Sequence, residues 1–487
     1  MQRISGPYTD QKWFIKRMNQ LFANVSEDGV CFGIAAMKMQ AIFSGDSDLF
    51  DKRTKIMHDI PSKKFKEELE DINKIRLEII KTVKKEIKPL RELNDSEKKE
   101  LLADEYLNIA LLKLEEAVDK LVKENQIPLE KKNEELSRRR ELCYFNAFIQ
   151  NKINQKIDQL SEEDRIKLDI PIFLNGVQIY QQDSLYPYLY ENGESPTTDR
   201  ILCNYPLASS KYFENKEGIS KLRQFSGIYT VEELTNYFSS FARISKPNKA
   251  LSPLVFILHN IDHAITIGYD PQKGEWSFTN ASFLPSGYTC DPQELANEVH
   301  KAFSDNNVAI FSSEIFTEKQ VEKEWEETLS TWEKDDKLIE MRTVTPEKTQ
   351  RTDSKNQALL SLAAAQGDLA LVEQVIEAEK KIPKEQRLRH VRCPALCMAV
   401  QNKNYNVVKR LLENGEDPNQ TRQDDNVSPL LLAASQGDYS TIRLLLENGS
   451  DPNMGTKDNF TSLHISVLKD DLKTAKLILD ALTQSKR

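Results

Sequence analysis

Long apolar runs are missing from this chain. No stretch of about 18 consecutive apolar residues occurs, so no membrane-spanning helix is expected. The nearest approach, residues 30–43, is too short and carries Lys38 and Gln40. The opening residues, Met1-Gln2-Arg3-Ile4-Ser5-Gly6, hold no apolar core of a secretory signal. Cysteine is scarce and scattered. The six residues, at 31, 143, 203, 290, 393 and 397, suggest no disulfide framework and are expected as reduced thiols of a cytosolic protein. An excess of basic charge is missing too. With 67 Lys and Arg against 76 Asp and Glu the net charge is −9, which argues against general nucleic-acid binding. At 487 residues the length allows roughly two to four domains.

What is present is a repeat. Leu411-Leu412-Glu413-Asn414-Gly415-Glu416-Asp417-Pro418-Asn419 returns about 34 residues later as Leu445-Leu446-Glu447-Asn448-Gly449-Ser450-Asp451-Pro452-Asn453. Ala364-Ala365-Gln366-Gly367-Asp368 returns as Ala434-Ser435-Gln436-Gly437-Asp438, and Ser428-Pro429-Leu430 as Thr461-Ser462-Leu463-His464. The period and the T-P-L-H-like start resemble the ankyrin repeat, in four units starting near Ala358, Pro394, Ser428 and Thr461. Leu430, Ala433 and Ala434 share a helix face small enough for stacking. Gly437 suits a left-handed helix end, and Asp451-Pro452-Asn453 suits a turn. The resemblance implies an all-α solenoid over residues 357–487 that binds proteins, so any chemistry belongs in residues 1–341.

There, residues 11–50 read as helical, with Trp13, Phe14, Met18, Leu21 and Phe22 at helical spacing. Residues 62–140, dense in Lys and Glu, read as a helical insertion of two or three amphipathic helices with solvated charges. Val231–Arg243 reads as a helix. Residues 254–259, 263–269 and 275–280 read as strands. Thr317–Met341 reads as one charged helix with Trp325 and Trp332 on one face, and residues 342–356 as a linker.

Gly29-Val30-Cys31-Phe32-Gly33-Ile34-Ala35-Ala36 puts a cysteine where a loop becomes an apolar helix. A helix N-terminus favours the thiolate. A nucleophilic cysteine also needs an imidazole, and His263 offers one at the start of a strand. Pairing Tyr269 with Glu275 sets His263 against Ala281, with Asn280 beside it to orient the ring. Asp270 is the acidic alternative, but it lies roughly 20 Å along the strand. The order Cys31, His263, Asn280 resembles the papain-like cysteine proteases. Residues 31–36 and their Gly-Val lead look similar to the YopT and AvrPphB branch of bacterial effectors. Three features depart from that pattern. No glutamine stands within the few residues before the cysteine, leaving Asn24, Ser26 and the Cys31 N–H as oxyanion candidates; Phe32 follows it directly in place of the family's tryptophan; and a long helical block intervenes.

A papain-like domain ahead of ankyrin repeats resembles the ankyrin effectors that Legionella delivers through its Dot/Icm type IV secretion system. That resemblance implies action in the host cytoplasm or nucleus on a host protein held by the repeats. The fold expectation is therefore an α+β papain-like cysteine protease-like domain with a helical insertion, followed by four ankyrin repeats. Two alternatives stand beside a thiol hydrolase: a non-catalytic host-protein binder with a degenerate pocket, and a thiol acyltransferase. No cofactor and no metal are implied. His390, Cys393 and Cys397 supply too few ligands for structural zinc and read as core, while His259 reads as separated from His263 by a strand break. His464 reads as a structural hydrogen-bonder. The placement of Asn419 and Asn453 resembles the pattern that the host asparaginyl hydroxylase modifies in ankyrin repeats, and the two read otherwise as turn residues.

Overall fold

Leu254, Phe256 and Leu258 alternate with Val255 and Ile257, and all five are buried, so their strand is covered on both faces. The computed structural model describes residues 2–3, 11–20, 30–86, 128, 131–132, 153, 155–181, 218–245, 252–304, 306–388 and 391–484. Strand β1 (Gln2–Arg3) is followed by helices α1 (Gln11–Met18), α2 (Cys31–Phe43), α3 (Ser47–Asp59), α4 (Phe65–Glu86) and α5 (Glu162–Gln181). Then come β2 (Ile219–Tyr229), α6 (Val231–Ser245), β3 (Leu254–His259), β4 (Ala264–Asp270), β5 (Glu275–Asn280) and β6 (Gly287–Thr289). Helix α7 (Pro292–Phe303), strand β7 (Ala309–Glu318) and helices α8 (Glu322–Trp332), α9 (Asp336–Arg342) and α10 (Pro346–Thr349) complete this part.

The strands form one antiparallel sheet in the order β1-β6-β5-β4-β3-β7-β2. Val255, Ile257, Ala264 and Phe316 face a layer built by α2 and α5. Leu254, Phe256, Leu258, Ile265, Ile267 and Tyr269 face the opposite layer of α6, α7 and α8, where Trp325 and Trp332 are fully buried. The single helix expected over Thr317–Met341 is not observed. Thr317 and Glu318 end β7, paired with β2, and the Asp335 carboxylate accepts the Leu338 N–H to cap α9 afresh after α8 stops. Of the helical insertion expected over 62–140, α4 is described; residues 87–127 lie outside the described residues.

Polar residues within the apolar-looking α2 are buried by design of the network around them. Lys38 Nζ lies 3.4 Å from the Asp51 carboxylate, which also accepts from Ser286 N (3.1 Å), Ser286 Oγ (2.8 Å) and Tyr288 Oη (3.1 Å). Gln40 donates to Tyr180 Oη at 2.8 Å. Burial pushes the Lys38 ammonium below its ordinary pKa, with Asp51 opposing.

Residues beyond 358 form four helix pairs: α11 (Leu359–Gln366) with α12 (Leu369–Glu379), α13 (Ala395–Gln401) with α14 (Tyr405–Glu413), α15 (Pro429–Gln436) with α16 (Tyr439–Glu447), and α17 (Ser462–Leu468) with α18 (Leu472–Gln484). The first helices are preceded by Ala358, Pro394, Ser428 and Thr461, the four expected starts. Gly437 takes φ 67°, as the repeat pattern requires, and Asp470 adopts φ 55° at the matching place. Ile228 and Ile310 of the sheet, with Val308 just before β7, join the core of the array. The stretch expected as a linker is packed: Thr345 caps α10, Lys348 pairs with Glu233 at 2.9 Å, and Asp353 is buried.

Asp51→Ala strands Lys38 without its counter-ion and is expected to cost roughly 3–5 kcal/mol in urea unfolding. Lys38→Met leaves Asp51 three other donors and is expected to cost clearly less. Equal losses would show that the ion pair does not set the cost.

Candidate functional site

Helix α2 lies along β4 because both surfaces are small. Thr266 Oγ1 donates to the Ala35 carbonyl at 2.6 Å, and a Cβ on Gly268 would meet Ile42 Cδ1 at 2.8 Å. A helix rises about 1.5 Å per residue and a strand about 3.3 Å. The eleven helical steps from Cys31 to Ile42 span roughly 16 Å, as do the five steps from His263 to Gly268, so the helix start falls at the strand start. There the Cys31 sulfur faces the Asp262 carbonyl oxygen at 4.0 Å. A Cβ on Gly33 would meet the Val177 carbonyl oxygen at 2.1 Å, so the glycine permits α2 to touch the α5 backbone. The Gly33 N–H donates to Gln181 Oε1 at 3.1 Å.

The turn between β3 and β4 carries His263. Asn260 N donates to the His263 carbonyl at 2.9 Å, while Asn260 Oδ1 accepts the N–H groups of Asp262 (3.0 Å) and His263 (2.9 Å). The strand break expected at residues 260–262 is this turn. The β4–β5 register differs by one residue from the expected pairing: Tyr269 lies opposite Trp276, Asp270 opposite Glu275, and Ile265 opposite Asn280. Asp270 belongs to the ladder because its carboxylate accepts Gln272 N and Lys273 N, closing the turn beyond it. The difference matters. In the expected register Asn280 would oppose residue 264 and point to the wrong face. In the observed one it opposes Ile265 and shares the face that His263, two residues earlier, approaches. The Asn280 side chain lies beside the His263 ring, where it favours the protonated form. Its Oδ1 also accepts Ser282 N at 2.9 Å.

The thiol thus approaches the 262–263 peptide from the α2 side. The imidazole leans to the α7 side, edge-on to Phe303 at 5.8 Å between ring centroids. Burial pushes His263 down to about 4, helped by the Lys355 charge and opposed by Asn280 and Asp262. Its ring is neutral near pH 7, the form that can accept a proton. Cys31 itself is 6 % exposed.

His259 stands apart from His263, at the end of β3 opposite Ala264. It lies 3.7 Å from Glu314 and its ring meets Phe32 at 6.2 Å. Gln181, bonded to the start of α2, and Glu314, beside His259, are not apparent from the sequence, because only the α2–α5 contact and the sheet order bring them there. Asn24, Ser26 and His390 lie outside the described residues. Cys393 and Cys397 are buried, and burial pushes the Cys397 thiol up to about 12. His464 Nδ1 accepts from Thr461 N at 3.2 Å, closing a capping box. Asn419 bridges two repeats, donating to Gly449 O (3.1 Å) and accepting from Asp451 N (2.7 Å), whereas Asn453 bonds Asp451 within its own turn.

Residues 396–486 match the family of ankyrin repeats in three copies, so the C-terminal array is an ankyrin-repeat region, a fold used for protein–protein interaction. Comparison with curated proteins finds no match. Among the described residues no helix is long and apolar enough to cross a membrane.

Gly33→Ala forces α2 from α5 and is expected to cost about 3 kcal/mol, the upper part of the overpacking range, in thermal or urea unfolding. A neutral result would mean that the two helices separate freely. His263 supplies a pH signature. Unfolding lets it take up a proton between its unfolded value near 6.5 and its folded value of about 4. Stability present above pH 6.5 is therefore lost as pH falls through that window, by up to roughly 3 kcal/mol. Glu379, raised to about 7 chiefly by burial, contributes an opposite slope. The check is therefore the difference between wild type and His263→Gln in urea unfolding at pH 7 and pH 4.5. A His263→Gln curve parallel to wild type would refute the buried neutral imidazole.

Proposed function

We propose that the chain is a thiol hydrolase of papain-like chemistry, acting on a protein that its ankyrin repeats hold. The observation that carries this reading is the placement of the Cys31 sulfur 4.0 Å from the carbonyl of Asp262, the residue before His263, with Asn280 beside the imidazole. Cys31 Sγ attacks a substrate carbonyl carbon while its proton passes to the His263 ring. Asn280 holds that ring in one orientation, and donors at the start of α2 face the developing oxyanion. As the substrate C–N bond breaks, His263 returns the proton to the leaving nitrogen. Water then adds to the thioester, giving one proton to His263, which delivers it to the sulfur as the acid departs. The resemblance to Legionella type IV effectors supports a host protein as substrate and the host cytoplasm or nucleus as the place of action.

The burial of Cys31 favours a second reading, in which the repeats bind a partner and the thiol is inert. Iodoacetamide labelling of the intact chain across pH 4–9, read at each cysteine by mass spectrometry, separates the two. Under the hydrolase reading Cys31 outpaces the exposed Cys290 near pH 6. His263→Ala then slows Cys31 by about 100-fold or more, the scale of general-base assistance. If Cys31 labels no faster than Cys290, the binding reading stands and the search turns to partners of the repeats.

A further inference from the structure

The carboxylate of Asp262 is the meeting point of the thiol site and the ankyrin array. Its Oδ2 accepts from Gln357 Nε2 at 2.7 Å and from the Arg392 guanidinium, and Lys355 Nζ lies 3.5 Å away. All three partners come from beyond the sheet. Gln357 and Lys355 belong to the loop entering the first helix pair, and Arg392 to the loop entering the second. Those loops are themselves tied together: Arg392 N donates to the Asn356 carbonyl at 3.0 Å, and Gln423 N donates to the Arg392 carbonyl at 3.0 Å. Arg392 Nε also binds Asp424 at 2.8 Å.

Asp262 is not an ordinary docking residue. Its own carbonyl faces the Cys31 sulfur, and the next residue is His263. The Asn260 side chain and backbone lock residues 260–263 into one turn, so a pull on the Asp262 carboxylate is transmitted to the peptide that thiol and imidazole flank. Docking of the array does not need these bonds. Ile228, Val308 and Ile310 already share its apolar core, and Gln224 Nε2 donates to Gln366 Oε1 at 3.0 Å.

We propose that Arg392, with Gln357 and Lys355, is a positioning residue: the ankyrin array sets the geometry of the Cys31–His263 site by gripping Asp262. This rests on the thiol reading above for its chemical consequence, but the grip can be measured without it. The charged groups facing His263 are Asp262 and Lys355, with Asn280 beside its ring, and Arg392 acts on the ring only through Asp262.

The test compares the full-length wild type with Arg392→Ala, Arg392→Lys and His263→Ala. It reads amide hydrogen exchange at residues 260–264 and the pH profile of Cys31 alkylation. Arg392→Ala is expected to speed exchange in the turn about tenfold while the third and fourth helix pairs keep their protection. It is also expected to slow Cys31 alkylation about fivefold with a displaced pH profile, and Arg392→Lys to recover part of both effects. Unchanged exchange in the turn overturns the grip. Faster exchange with an unaltered, His263-dependent Cys31 profile overturns the claim that the grip positions the site. A wild-type profile indifferent to His263→Ala sinks the thiol reading instead, and the exchange result then decides the grip alone. Loss of protection throughout the array would show that Arg392 serves docking, which also overturns the proposal.

Discussion

Two-sided burial of β3 and β4 is the constraint on which the rest depends. These strands have no solvent face: Val255, Ile257 and Ala264 look one way, and Leu254, Phe256, Leu258, Ile265 and Ile267 the other. A helix must close each side. On the β4 surface, where Ala264, Thr266 and Gly268 stand, only a helix with small residues can approach closely. Helix α2 meets that demand with Ala35 and Ala36, and Gly33 lets it be backed closely by α5. Once α2 is laid along β4, the position of its first residue follows. Cys31 comes to the turn that carries His263 because packing, not the cysteine, fixes the helix.

Much of this was legible. The repeats announced themselves because a solenoid stacks one solution on itself, so the same residues return at each stacking face and each left-handed turn. Strand β5 was legible from alternation, and the Trp325–Trp332 face from helical spacing. The register of the β4–β5 hairpin was not, since pairing depends on how the Asp270 carboxylate closes the turn, a detail that residue type leaves open. Strand β7 went unseen because its burial on both sides mixes Ser312, Ser313 and Glu314 with apolar residues, and alternation fails as a signal there. Glu314 and Gln181 were invisible for another reason. Gln181 reaches the start of α2, and Glu314 reaches His259, through contacts far apart in sequence, and no local pattern marks such contacts.

The relation between the two parts of the chain bears on what the repeats can do for any chemistry at Cys31. An array on a slack tether raises the concentration of a bound partner near the site but leaves its orientation free. Here the connection is packed. Lys348 is tied to Glu233, Asp353 is buried, and the loops of the first two helix pairs close on Asp262. A protein seated on the array is therefore held in a fixed attitude to the turn that Cys31 and His263 flank. Orientation is worth more to a reaction than concentration, because it removes rotational freedom before the attack begins. The same rigidity has a cost in access. Cys31 is buried in this arrangement, so under the proposed chemistry a substrate carbonyl would have to displace whatever covers the sulfur, and the array, which grips the adjoining turn, is placed to relay a partner's arrival to it.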